Sequence, residues 1–203
     1  MLYTRLPLRI TLCGQSPLFT GRRTVFNLAK VAKSLAQSGA HSDSQTYTIT
    51  KRFQHPQDLV YRLISRVDLY YEFIPYCTSS FITAKDKSGE PSIAGLRVGF
   101  QAFDEEFTCE LSCAKPEVVV AKSITHSLFH SLETEWKISP IGADQCIAEL
   151  NLSYEFKSQL YNQVSSFFAK SVANLMTKSF EKRAFNVAKD PRLCAEYEAR
   201  SGK

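Results

Sequence analysis

The sequence predicts an α+β fold, a curved antiparallel sheet wrapped around one long C-terminal helix, with two short helices after the first strand. Three observations predict it. Apolar and polar residues alternate in residues 46–53 and again through most of 78–157. Between those stretches the apolar residues recur about every four positions. After Lys157 one wide apolar stripe of helical period continues to about Ala188.

The elements follow in order. Residues 46–53 put Tyr47, Ile49 and Phe53 on one side and Thr46, Thr48, Thr50 and Arg52 on the other, the pattern of a half-buried strand. His55-Pro56-Gln57-Asp58 opens a short helix, since proline suits a first turn. Leu59, Leu63 and Val67 recur every four residues along it, with Val60 and Ile64 alongside. Asp68 is placed to cap a second short helix carrying Tyr71, Phe73 and Ile74, which Pro75 cannot extend far.

Strands then follow one another. Residues 79–85 lead through a turn at 87–91 into 93–103, with Leu96, Val98 and Phe100 on one face. Asp104-Glu105 reads as the next tight turn, and Phe107, Cys109, Leu111 and Cys113 share a face until Lys115-Pro116. After 118–125, the strand 128–138 points Leu128, His130, Leu132, Thr134, Trp136 and Ile138 inward. Past a turn read at 139–142, Cys146, Ala148, Leu150, Leu152, Tyr154 and Phe156 alternate with Glu149, Asn151, Ser153 and Glu155. Connections this short make the strands antiparallel neighbours.

The closing helix, from Gln159, carries Leu160, Val164, Phe167, Phe168, Val172, Leu175, Met176 and Phe180 opposite Lys170, Lys178, Glu181 and Lys182. Asp190-Pro191 reads as its end, leaving 191–203 as a polar tail. One long helix laid across a curved sheet is the helix-grip arrangement, and the two can meet over a hollow suited to a ligand.

Charge and composition narrow the function. The net charge of +5 is unevenly placed: residues 1–42 hold six basic residues and no acid, and the first acid is Asp43. The remaining nineteen basic residues face twenty acids, a net of −1, so the folded part lacks the basic footprint that nucleic acid demands. The acid-free leader holds an amphipathic segment, with Val25, Leu28, Val31, Ala32 and Leu35 at helical spacing. It reads as a mitochondrial transit peptide and linker over 1–42, ahead of a folded domain at 43–190. The plain alternative is a basic tail. The six cysteines show no CxxC pair, and Cys109 and Cys113, four apart on a strand, would hold their sulfurs roughly 13 Å apart. They read as buried reduced thiols, and the same spacing argument removes His126 and His130 as a metal pair. No apolar run reaches the roughly 18 residues of a membrane-spanning helix, so any membrane association is expected to be peripheral.

One motif says more. Val67-Asp68-Leu69-Tyr70-Tyr71-Glu72-Phe73-Ile74-Pro75-Tyr76-Cys77 closely resembles the V-x-x-Y-x-x-F-[IL]-P-[WY]-C signature of the coenzyme Q-binding proteins, within the START-like, polyketide-cyclase superfamily. The likeness extends over about 45–188 and includes Leu-Tyr-Asn-Gln-Val-Ser-Ser-Phe-Phe at 160–168; Tyr76 stands where many relatives carry tryptophan. The resemblance implies a START-like fold and a polyprenylated benzoquinone (ubiquinone) held in an apolar cavity. It also implies a matrix-side protein peripheral to the mitochondrial inner membrane, serving respiration and quinone biosynthesis or their complexes. On this reading the quinone is a ligand; no cofactor, metal or catalytic set is expected.

Candidate ligand contacts fall into three groups. Phe73, Ile74, Pro75 and Tyr76 read either as a gate at the cavity mouth or as a plug closing the sheet. From the sheet come Leu96, Val98, Phe100, Phe107, Leu132 and Trp136, with His130, Thr134 and Tyr154 as polar candidates for a quinone carbonyl. A polar group in such a cavity costs about 1–3 kcal/mol unless hydrogen-bonded. The helix adds Val164, Phe168, Val172 and Leu175, each readable as cavity lining or as plain core. Two other functions compete with the carrier: a cyclase- or dehydratase-like enzyme using His130, Thr134 and Tyr154, and a ribosome- or protein-interaction module like the family's bacterial branch.

Overall fold

The computed structural model describes residues 44–100, 103–125, 129–157 and 165–199. The expected leader at 1–42 lies outside the described residues, with Leu128, Leu160 and Val164 and the side chains of Phe100, Phe167 and Phe168.

The chain opens with β1 (Gln45–Phe53), followed by helix α1 (Gln57–Ser65) and a 3-10 turn (Val67–Glu72). Six strands follow: β2 (Cys77–Lys85), β3 (Pro91–Phe100), β4 (Phe103–Ala114), β5 (Val118–Ser123), β6 (Phe129–Gly142) and β7 (Gln145–Phe156). Helix α2 (Ser165–Lys189) and helix α3 (Pro191–Ala199) complete it. The strands form one antiparallel sheet in the order β1-β7-β6-β5-β4-β3-β2, so the first strand joins the last and every later neighbour is a hairpin partner. This is the α+β helix-grip arrangement that the sequence predicts.

Register decides which side chains look inward. Trp136 lies opposite Leu150 and Val119, Thr134 opposite Leu152 and Ala121, and Leu96 opposite Phe107. Across an antiparallel pair, opposed residues share a face, so these rows run around one inner surface. The alternation read in β7 holds along the whole strand, from buried Cys146 to buried Phe156.

Five local expectations are corrected. A bulge between Phe129 and Ser131 inserts one residue into β6, which turns His130 to solvent and Phe129 inward. Asp104 and Glu105 are strand residues of β4 rather than a turn, and the Asp104 carboxylate accepts the Nε–H of Arg97 at 2.7 Å. Strand β6 continues through Ser139 and Pro140 to Gly142, with the turn at Ala143-Asp144. Asp68 does not cap the 3-10 turn; its carboxylate accepts both Nε and Nη2 of Arg66, at 2.8 and 2.7 Å. The expected polar tail is helix α3: the Asp190 carboxylate accepts the Arg192 N–H at 2.9 Å, so Asp190-Pro191 starts a helix instead of ending the chain's order.

Two apolar clusters fill the space between sheet and helices. The larger, toward the α1 end of the sheet, gathers Phe53, Val60, Leu63, Ile64, Leu69, Trp136, Ile138, Phe180 and Tyr197. The smaller, at the opposite end, holds Phe129, Leu152, Tyr154, Phe156 and Ala169. Helix α2 runs past both and lies against β1, β7, α1 and α3.

Candidate functional site

The aromatic motif folds with alternating destinations. Tyr70 is buried and its hydroxyl donates to the Ile64 carbonyl at 2.5 Å; burial in this apolar setting pushes the phenol well above its ordinary range. Phe73 meets Tyr70 and Phe180 edge to face, at centroid distances of 5.7 and 5.3 Å, and Ile74 is buried beside them. Phe73 and Ile74 are therefore packed against the larger cluster. Pro75 and Tyr76 face outward: Tyr76 is 49% exposed and adopts a left-handed backbone with φ 68°. The Gly99 N–H donates to the Tyr76 carbonyl at 2.9 Å, which seats this outer part against the end of β3, next to Val98.

A buried polar tie anchors the motif to the final helices. Arg183 donates through Nη2 to the Glu72 carboxylate and through Nε to the Tyr197 hydroxyl, the latter at 3.1 Å, and lies 5.3 Å from the Phe73 ring centroid. Burial disfavours the Arg183 charge, but Tyr197 and Glu72 more than offset it, and its pKa rises.

The inner surface is unevenly covered. Because α2 lies over β1 and β7, the inward residues of β3 and β4 have less above them. Leu96, Val98 and Phe107 are half-buried, as are Leu132 and Thr134 on β6 between the two clusters. Register adds Glu105 to this surface, opposite Val98 and half-buried. Reading Asp104-Glu105 as a turn hides it from the sequence pattern, and placing the hairpin between Phe100 and Phe103 reveals it. Trp136 and Tyr154 are fully enclosed in the packed clusters, Trp136 edge-on to Phe180 at 5.4 Å and Tyr154 edge-on to Phe156 at 5.3 Å.

Of the expected stripe, Phe180 is buried and Met176 packs against the larger cluster, while Val172 and Leu175 depart from it. Among its described side chains the buried ones are Ala169, Ala173, Thr177, Phe180, Arg183, Ala184 and Val187. At about 100° per residue, Val172 lies on the flank of that face and Leu175 lies about 160° from Ala173, away from it; both are half-buried. Among its described side chains, the buried face of α2 is mostly small residues, and the helix lies against β1 and β7.

A cleft of about 360 Å³ lies elsewhere, between the end of α1 and the β2–β3 hairpin, lined by Arg62, Arg66, Lys85, Glu90 and Lys115 among others. None of the sequence-predicted contact residues lines it.

A curved antiparallel sheet gripping a long helix over a partly covered apolar surface defines the helix-grip class. The comparisons agree with that class and refine it. The model of the family "Polyketide cyclase / dehydrase and lipid transport" matches residues 53–181. The chain is 41% identical over 198 residues to the mitochondrial coenzyme Q-binding protein COQ10 of Eremothecium gossypii, spanning 94% of this chain and 89% of that one. It is 42% identical over 182 residues to the protein of the same name from Saccharomyces cerevisiae, spanning 87% of this chain and 83% of that one. A START superfamily protein from Mycobacterium smegmatis superposes with a TM-score of 0.65 at 19% identity, covering 70% of this chain and 98% of that one, a likeness of fold. The chain belongs to the polyketide cyclase, dehydrase and lipid transport family, in the branch of the mitochondrial coenzyme Q-binding proteins.

Proposed function

We propose that this protein binds coenzyme Q between its sheet and helix α2 and acts as a carrier for that lipid in the mitochondrion. The observation that carries the reading is the half-buried inner surface of Leu96, Val98, Phe107, Leu132 and Thr134, left between two packed cores. An apolar surface of this kind gains about 25 cal/mol for each Å² that a bound isoprenoid tail removes from water. The near-complete span shared with relatives named for coenzyme Q supports the same ligand here.

Thr134 is the polar contact for the quinone ring, half-buried among Leu152, Ala121 and Leu132 and able to donate a hydroxyl to a carbonyl oxygen. Val172 flanks the pocket from α2. Tyr76, with Pro75, forms the outer rim, where an amphipathic ring suits an apolar–aqueous boundary. Phe73 and Ile74 act one layer further in, fixing the rim to Phe180. His130, turned outward by the bulge, takes no part, and neither does Leu175. The protein works peripherally at the inner membrane on the matrix side, delivering quinone to respiratory and biosynthetic partners without chemical change to the ring. No helix among the described residues is long and apolar enough to cross a membrane.

The test is to purify the chain, extract it with organic solvent and identify bound lipid by mass spectrometry. Coenzyme Q at a substantial molar fraction supports the carrier. An empty extract, together with no uptake of added quinone by wild type, overturns it.

A further inference from the structure

The cleft beside α1 has a construction of its own. Arg62 and Arg66 stand four apart, on one side of α1 and at its C-terminal cap, so both reach the same wall. Lys85 and Lys115 line it too, against the carboxylates Asp68 and Glu90, a net charge of +2 for the lining. Arg66 is 6% exposed and Asp68 occupies its Nε and Nη2. Its Nη1 is buried and meets no acceptor among the described residues, and the same holds for Arg62 Nε. The other donor contact of Arg62, from Nη1 to Glu198, is long at 3.4 Å. Glu90 already accepts the Tyr61 hydroxyl at 3.0 Å.

Buried guanidinium N–H groups without an acceptor are costly, and the four cations lining this cleft outnumber its two carboxylates. A tetrahedral oxyanion presents several acceptor oxygens at once, enough to meet the Arg62 and Arg66 side chains and a lysine together. We propose that this cleft binds a phosphate-class oxyanion, either as a free phosphate or as the headgroup of an anionic lipid. The site is separate from the quinone surface: Lys85 and Cys77 end the same strand, about 26 Å apart at 3.3 Å per residue, and the Tyr76 rim sits at the Cys77 end.

The experiment follows the Arg Nε–Hε NMR signals of the full chain during titration with inorganic phosphate, against chloride at matched ionic strength. A parallel arm measures co-sedimentation with vesicles of phosphatidylcholine alone or of phosphatidylcholine with phosphatidylglycerol. Saturable movement of the Arg62 and Arg66 signals with phosphate supports the site with a soluble ligand. Binding only to the phosphatidylglycerol vesicles supports it with a headgroup ligand. In either case Arg62→Gln weakens binding about tenfold, the loss of one charge-assisted contact. Lys115→Gln, on the cleft rim, weakens it in the same direction and serves if Arg62→Gln disturbs folding. Signals indifferent to phosphate and to both vesicle types overturn the proposal, as does binding that both variants leave unchanged.

Discussion

The ring of Phe73 meets the ring of Phe180 edge to face at 5.3 Å, joining the aromatic motif to the centre of α2. Phe180 is fully buried and also meets Tyr70 and Trp136, at 5.3 and 5.4 Å, so three aromatic rings from two other parts of the chain converge on it. Truncating Phe180→Ala leaves a large void and is expected to cost about 3–5 kcal/mol. In a double-mutant cycle with Phe73→Ala, urea unfolding should give a coupling of about 0.5–1.5 kcal/mol. Strict additivity would show that the two rings do not support each other.

Glu72 holds a buried arginine. Glu72→Gln keeps the size of the side chain but withdraws the charge that Arg183 faces, leaving Tyr197 and the Phe73 ring as its partners. Because the Glu72 side chain is partly exposed, the expected loss is about 1–3 kcal/mol, below that of a fully buried pair. Thermal unfolding reads it, and a Tm unchanged from wild type would show that the tie carries no stability.

Tyr76 carries the opposite expectation. Its φ of 68° is a conformation glycine adopts at little cost and tyrosine does not, so Tyr76→Gly should raise stability by about 1 kcal/mol. The same change removes the rim ring. On the carrier reading, quinone transfer to acceptor vesicles slows in a protein that has become more stable. Unchanged transfer would remove Tyr76 from the rim.

Gly95 is a close-approach glycine. A Cβ there would lie 2.5 Å from Phe81 Cζ and 3.0 Å from the Phe107 carbonyl oxygen. Gly95→Ala should destabilise by about 1–3 kcal/mol, and the pair Gly95→Ala with Phe81→Ala should regain part of the loss. Equal losses in single and double variants would place the strain on the Phe107 side.

Alkaline pH should loosen the fold from a known point. Burial pushes the Cys109, Cys113 and Cys146 thiols from 9.0 up to about 11, and burial raises Tyr61 and Tyr70 as well. Groups with a raised folded pKa give stability that is complete below the unfolded value and is lost as pH climbs toward the folded one. The urea midpoint should therefore fall between pH 9 and 11, and alkylation of these thiols in the native protein should stay slow at neutral pH. Rapid native-state alkylation of Cys146 would contradict the burial that raises it.

Much of this architecture is legible in the sequence where one rule acts alone. The strict alternation of β7 names its inward residues, and the tight spacing of turns gives the antiparallel order. Errors arise where two rules compete. Alternation carried through β6 mislays His130, because a bulge shifts parity by one and no residue type announces it. Asp190-Pro191 has the composition of a helix stop, yet the same pair is a cap and a first turn for the next helix. On α2 large side chains alone do not mark the buried face: Phe180 lies on it, but so do Ala169, Ala173 and Ala184, while Leu175 points away. Nothing in the pattern of residues 57–66 marks Arg66 as buried; tertiary packing covers it.

The division of the interior into two cores has a further consequence for α2. Its later turns are locked by Phe180, Arg183, Ala184 and Val187, while Ala169 carries the contact to the smaller core. The free energy of local opening should therefore rise along the helix, with amide hydrogens near Ala169 exchanging sooner than those near Ala184. A long lipid could then enter by lifting one end of a lever whose fulcrum stays in place, and exit would need no global unfolding.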